Sequence, residues 1–334
     1  MGWDRTLQWA GRLGQEYVCG GWIKAEDHRL SFLASKAGQQ KIRAENYGDL
    51  RDHLNGADAT ADVGRVILPA TSRGSPRKLK RYYEDAMATV RAFGPPALFI
   101  TMTANGSAAE VKACLQAWQQ SEDRWDLCSE VFDAHRKQLL KELGEGGVFG
   151  TSVARFSVLE FQKRGLPHVH VLLWLVDQPS NGEKIDAIVR ATIPPVGPLR
   201  DSVLRTNVHS CGPGCQGPSG RCKSFFPKPE CDATRLKDPN ERGDFVLYKR
   251  TANVVTVRRD CHDSVFGDVD IVPYSPYLTL RHNSHVNVEI VASSKSPKYL
   301  TKYLSKGGSI DRAMVSEKKD EGNEVAQFRS RRVV

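Results

Sequence analysis

The chain has 334 residues, of which 40% are hydrophobic and 26% charged, an ordinary globular mixture that excludes a collagen-like, low-complexity or disordered polymer. Its formal net charge of +9 is carried partly in runs such as RGSPRKLKR (73–81) and KSPKYLTKYLSK (295–306), which favours a polyanionic partner such as nucleic acid. No stretch of about 18 uncharged apolar residues occurs, and the first residues, MGWDRTLQWAGR, carry no apolar leader, so no membrane span or secretion is expected and the protein is read as intracellular.

In chain order, residues 1–70 have mixed helical patterning and are expected to form a helical lead-in. Residues 71–204 read as the first part of a core. Ser75 and Pro76 make a good N-cap and first-turn pair, and Gly94 a stop, so a helix is predicted between them. ALFITMTA (97–104) is a short apolar run and reads as a strand. Helices are predicted at about 107–120 and 125–143, the second with Leu127, Val131, Phe132, His135, Leu139 and Leu140 at helical spacing. VFGTSVARFSVLEFQ (148–162) and HVHVLLWLV (168–176) flank the turn-like KRGLP and predict an antiparallel hairpin. A helix is expected around 182–192.

Composition then shifts to glycine, proline and cysteine with little periodicity, and 205–270 reads as an insertion. The core resumes over 271–308, with an alternating strand, HVNVEIVA (285–292), and a helix from Pro297 to Ser305 that stops at Gly307-Gly308. Residues 309–334 are a polar tail. The expected fold class is α+β: a central antiparallel sheet built from strands near 97–104, 149–162, 168–176 and 285–292, with helices against it.

Side chains in a strand alternate faces, so His168 and His170 point the same way, and Glu160 and Gln162 share a face of the partner strand. Two imidazoles and one oxygen ligand can hold a divalent ion and leave positions open for phosphate oxygens and water. A structural role for the pair remains the alternative. In KYLTKYLSKG (298–307), Tyr299 and Tyr303 are one helical turn apart, beside a stripe of Lys298, Lys302 and Lys306. They are either core tyrosines of an amphipathic helix or phenol nucleophiles whose neighbouring cations favour the phenolate and neutralise a phosphate.

Eight cysteines in an intracellular chain argue against a disulfide framework, and five of them fall between Cys211 and Cys261. Cys211, Cys215, Cys222 and Cys231, with His209 in reach, are compatible with a zinc knuckle that would hold a stretch too poor in apolar residues to fold alone. Free buried thiols are the alternative. Cys19, Cys114 and Cys128 read as small hydrophobes.

The strings SVLEFQKRGLPHVHVLLWL and PYSPYLTLRHNSHVNVEIVASSKSPKYLTKYLSKG resemble the His-hydrophobic-His and two-tyrosine motifs of Helitron-type rolling-circle replication initiators. The likeness extends through VGRVILP, GSPRKLKRYYEDAMATVRAFGPPALFITMTAN and DRWDLCSEVFDAHRKQLLKEL, in order, over roughly residues 30–330, and the family also has a Cys/His cluster before an FPKP string. The resemblance implies an HUH-endonuclease-like fold and a single-stranded DNA nickase and strand transferase. Tyr299 or Tyr303 would form a 5′-phosphotyrosyl link, with Mg2+ or Mn2+ on His168, His170 and a third ligand, Glu160 in preference to Gln162. Lys163, Arg164, Lys298, Lys302 and Lys306 would contact single-stranded DNA at transposon ends, and the place of action would be the nucleus.

Two departures stand out. The family's TxNPxW-like string is replaced by TANGSAA, and no GxxxxGK[ST] phosphate loop is present, so a helicase would be a separate partner. A catalytically inactive relic that binds single-stranded DNA is the alternative reading.

Overall fold

The computed structural model of the chain describes residues 10–43, 66–72, 75–144, 146–161, 166–212, 215–217, 220–237, 246–259, 262–291, 323 and 325, with backbone alone at 258, 259, 262 and 263. The chain divides into two compact units, Met1–Ala88 with Leu300–Val334, and Thr89–Tyr299.

In the first unit, α1 (Gly11–Ala34) contributes Leu30 to a small cluster with Leu68 and Val325. The Gln39 amide closes the nearby turn, donating to the carbonyls of Leu33 (2.6 Å) and Ile67 (2.8 Å) while accepting from Ile67 N–H. Helix α2 (Pro76–Phe93) starts where Ser75 Oγ accepts the Lys78 N–H at 3.2 Å, and Pro76 loses nothing by lacking a donor at that position. It stops at Gly94, whose φ of +76° is the left-handed C-terminal turn that glycine adopts without steric penalty.

The second unit is built on a four-stranded antiparallel sheet in the order β2-β3-β1-β8. Its strands are β1 (Leu98–Thr103), β2 (Ser152–Phe161), β3 (Pro167–Leu175) and β8 (Val286–Ile290). The expected central antiparallel sheet flanked by helices is therefore present. Alternation explains one face: Leu98, Ile100, Met102, Val169, Val171, Leu173, Val286 and Val288 are all buried in one core. Helix α4 (Trp125–Glu142) supplies Phe132 and Leu139 to that core. The opposite face is divided. Towards one end Phe99, Leu172 and Trp174 are buried, with Phe156 edge-on to Trp174 and the indole N–H donated to Gly94 O at 2.8 Å. Towards the other end the same face is polar, and this division positions the site.

Several expectations are corrected. The helix expected over 107–120 is a single turn, α3 (Ala109–Lys112), followed by a 3₁₀ turn at Ser121–Asp123. The Gln119 side chain accepts the Gln116 N–H at 3.1 Å, so a local turn takes a donor that a continuing helix would have used. The helix expected over 182–192 is α5 (Gly182–Ile188), capped by Asn181 Oδ1 on Lys184 N–H. It ends early because Val189 is extended and Arg190 bridges Tyr274. Helices α6 (Pro198–Thr206) and α7 (Pro276–His282) were not expected. The helix expected at 297–305 lies outside the described residues.

Beyond α6 the chain leaves the core and returns beside itself: His209 N donates to Asp270 O and Val272 N to Asn207 O, each at 2.8 Å. The intervening segment carries the short pair β4 (Arg235–Leu236) and β5 (Val246–Leu247), and the hairpin β6 (Val254–Arg259) with β7 (His262–Gly267), which was also not expected. A buried polar staple fixes its base. Asp268 accepts from Ile193 N (2.7 Å), Thr251 N (3.0 Å) and Thr251 Oγ1 (2.8 Å), and the buried Arg250 guanidinium donates to the carbonyls of Ile271 and Asp268. These hydrogen bonds offset much of the cost of burying the two charged groups.

Candidate functional site

The polar end of the sheet is assembled from register. In β1–β3 pairing Thr101 opposes His170 and Thr103 opposes His168, and in β2–β3 pairing Glu160 opposes His168. Directly opposed residues share a face, so these five side chains lie together, joined from β8 by Asn287, which opposes Thr101. Val169, between the histidines, is buried in the core behind them.

Each imidazole is held by its Nδ1. That of His170 is 2.9 Å from Thr101 Oγ1, and that of His168 is 3.2 Å from Thr103 Oγ1. Phe99 stacks on His170 with ring centroids 5.7 Å apart and an interplanar angle of 4°. Glu160 Oε2 lies 3.2 Å from His170 Nε2. The two rings stand side by side, centroids 6.4 Å apart and tilted by 32°. His168 Nε2 and Asn287 Oδ1 are buried without a hydrogen-bond partner among the described residues. Burial, with some help from His170 and His285 and against Glu160, pushes the His168 pKa down to about 4. The ring is therefore neutral near pH 7 and keeps a lone pair.

The buried His168 Nε2 is an acceptor that a cation could satisfy. A buried acceptor with no partner costs on the order of 1–3 kcal/mol. A cation would offset that cost at His168 Nε2, and a threonine oxygen accepting from Nδ1–H is the arrangement that directs an Nε2 lone pair at a metal. Of the expected ligands, His168, His170 and Glu160 are thus brought to one face. Gln162 lies outside the described residues, as do Lys163, Arg164, Lys298, Tyr299, Lys302, Tyr303 and Lys306.

One neighbour was missed. His285 precedes β8, its backbone oxygen accepts the Thr103 N–H at 3.0 Å, and its charge would disfavour that of His168. Its Nδ1 is 2.6 Å from Thr206 O, and burial lowers its pKa. The signal was present in HVNVEI, where the polar positions 285, 287 and 289 alternate with valine and isoleucine.

A second cluster lies in the 207–228 segment. The ligand atoms of His209, Cys211, Cys215 and Cys222 are all within 4.8 Å of one another, with His209 Nε2 at 3.1, 3.5 and 3.3 Å from the three sulfurs. Three thiols and one imidazole suit tetrahedral Zn2+. At Cys222 burial works against ionisation, but the backbone N–H groups of Phe226 and Ser224 and the neighbouring thiols prevail and bring the thiol down to about 6. Cys231, expected in this set, stands apart and donates to Ala233 O at 3.0 Å, so His209 is the fourth member of the group that could hold a metal. Phe226 stacks on His209 at 4.1 Å. Phe225 has a left-handed backbone, φ +57°, which costs a non-glycine residue roughly 1 kcal/mol.

The TANGSAA loop also has a visible job. Asn105 accepts the Ser107 N–H (3.0 Å) and donates to Asn283 O (2.8 Å), tying the end of β1 to the turn before β8.

Fold and site together define a mixed α+β domain with a paired-histidine centre on its sheet and a Cys/His cluster in a separate segment. The model of the family described as Helitron helicase-like domain at N-terminus matches residues 4–173, and the chain belongs to that family. The match includes β1, β2, both histidines of the pair and Glu160. No curated protein matches the chain.

Proposed function

We propose that the protein is a metal-dependent single-stranded DNA nickase and strand transferase with an HUH-endonuclease-like core, acting on transposon ends in the nucleus. One observation carries this reading: His168 and His170 share a sheet face with Glu160, and His168 Nε2 is buried without a partner among the described residues.

His168, His170 and Glu160 would hold Mg2+ or Mn2+, which supplies Lewis-acid polarisation of a phosphate oxygen. Thr101 and Thr103 orient the rings, and Phe99 fixes the plane of His170. Tyr299 or Tyr303 would attack phosphorus, forming a tyrosyl O–P bond as the P–O3′ bond breaks, and the 3′ oxygen leaves as a hydroxyl after taking up a proton. The phosphodiester energy is kept in the phosphotyrosine, so a second strand's 3′-OH can reverse the step without ATP. The test is to incubate the protein with labelled single-stranded DNA and Mn2+ and to look for a protein–DNA adduct that survives denaturation. DNA binding without an adduct would favour the inactive relic.

A further inference from the structure

The zinc-type cluster organises a short surface that the nicking chemistry does not use. Cys222 is buried with its sulfur among His209, Cys211 and Cys215, while its neighbours Arg221 and Lys223 are exposed. Their backbones are pinned: Arg221 O accepts from Gly217 N and Lys223 N donates to Cys215 O, each at 2.8 Å. The two adjacent phenylalanines then have opposite fates. Phe226 goes inward onto His209, with Lys228 Nζ 5.3 Å from its ring centroid. Phe225 is 78% exposed, in a left-handed backbone fixed by its N–H on Cys222 O at 3.0 Å. Packing does not require a bulky ring there, and the backbone conformation disfavours one, because glycine would occupy it without penalty.

We propose that Phe225 is a stacking platform for a base of single-stranded nucleic acid, with Arg221 and Lys223 contacting the flanking phosphates. An exposed aromatic ring two and four residues along the chain from two exposed cations matches a single strand, whose base faces are open, whereas a duplex hides them. The surface lies on the insertion and uses none of the groups assigned to cleavage, so this inference stands or falls separately from the nickase reading.

The test is fluorescence anisotropy of a short labelled oligothymidylate with the full chain, zinc-loaded and without added Mg2+ or Mn2+, so that cleavage does not enter. Phe225→Gly removes the ring while relieving the backbone, so its thermal midpoint and zinc content should equal or exceed those of the parent. Its affinity should fall about fivefold or more, the scale of one lost base–aromatic stack. Phe225→Trp should keep the affinity and Phe225→Leu should lose it. Arg221→Ala should lower the slope of log affinity against log salt by about 0.7, the value for one phosphate contact on a single strand. Unchanged affinity in Phe225→Gly, or full affinity in Phe225→Leu, overturns the proposal.

Discussion

Thr103 Oγ1 lies 3.2 Å from His168 Nδ1, across the β1–β3 register, and the ring's other nitrogen is buried without a partner among the described residues. The threonine hydroxyl can accept from Nδ1–H, and in that tautomer the Nε2 lone pair is available to a cation. Replacing Thr103 by Val keeps the shape and removes that outer partner of the ring. Calorimetric titration with Mn2+ is expected to show affinity falling about 10- to 100-fold, the usual cost of losing a ligand's outer partner. His168→Ala is expected to abolish measurable binding at this centre and to lower cleavage by on the order of 10²–10³ or more. DNA affinity should be retained. Undiminished Mn2+ binding in both variants would remove the metal from this face.

The hairpin carrying this centre was readable because two β-rich runs flank the turn-like string KRGLP. Strand alternation put His168 with His170 and Glu160 with Gln162, and the pairing register then sets Glu160 opposite His168. His285 is less legible because it belongs to the polar phase of an alternating strand, which apolar patterning alone does not register. The β6–β7 hairpin was hidden for a related reason: Val254 and Val265 are exposed, and the pair has no strongly apolar face to give a pattern. In the cysteine cluster, spacing named five candidates but could not say which four meet. Proximity in space selects His209 over Cys231, because Cys231 bridges Arg250 instead.

That selection gives a sharp test of the cluster. Cys222→Ser is expected to lose bound zinc and to loosen the segment around it, while the sheet, whose core is separate, stays folded. Cys231→Ser is expected to keep full zinc content. Metal analysis of protein purified without chelator checks both, and zinc loss in Cys231→Ser would contradict the ligand set.

Stability should depend on pH with a definite sign. His168 is depressed to about 4 from the ordinary 6.5, and burial lowers His282 and His285 as well. Below 6.5 the unfolded chain therefore binds more protons than the folded one, and folding weakens as pH falls. The contribution is fully present above pH 6.5 and is progressively lost towards pH 4. Glu142, held low by Gln138, Arg281 and His282 against the opposing effect of its burial, extends the loss into the carboxylate range. The urea midpoint of the metal-free protein is expected to be level above about pH 6.5 and to fall steadily below it. A midpoint that rises on acidification would contradict the burial assigned to these rings.

The Arg250–Asp268 staple should be costly to break. Asp268→Ala leaves the N–H groups of Ile193 and Thr251 without their acceptor and removes a buried carboxylate. A loss of about 2 kcal/mol is expected, since the buried Ile193 N–H and the part-buried Thr251 N–H lose their acceptor at once. Denaturant unfolding measures it, and a change below about 0.5 kcal/mol, the range of neutral surface substitutions, would show that the staple is dispensable.

The central claim is that a tyrosine of the 298–307 segment takes the DNA strand under the direction of the paired histidines. The most direct measurement is to form the adduct with single-stranded DNA and Mn2+, digest it, and identify by mass spectrometry the residue that carries the nucleotide. The expected result is phosphotyrosine at Tyr299 or Tyr303, retained in part when either is changed singly to Phe and absent from the double Phe variant and from His168→Ala. An adduct on any other residue, or one that persists in the double Phe variant, would contradict the account.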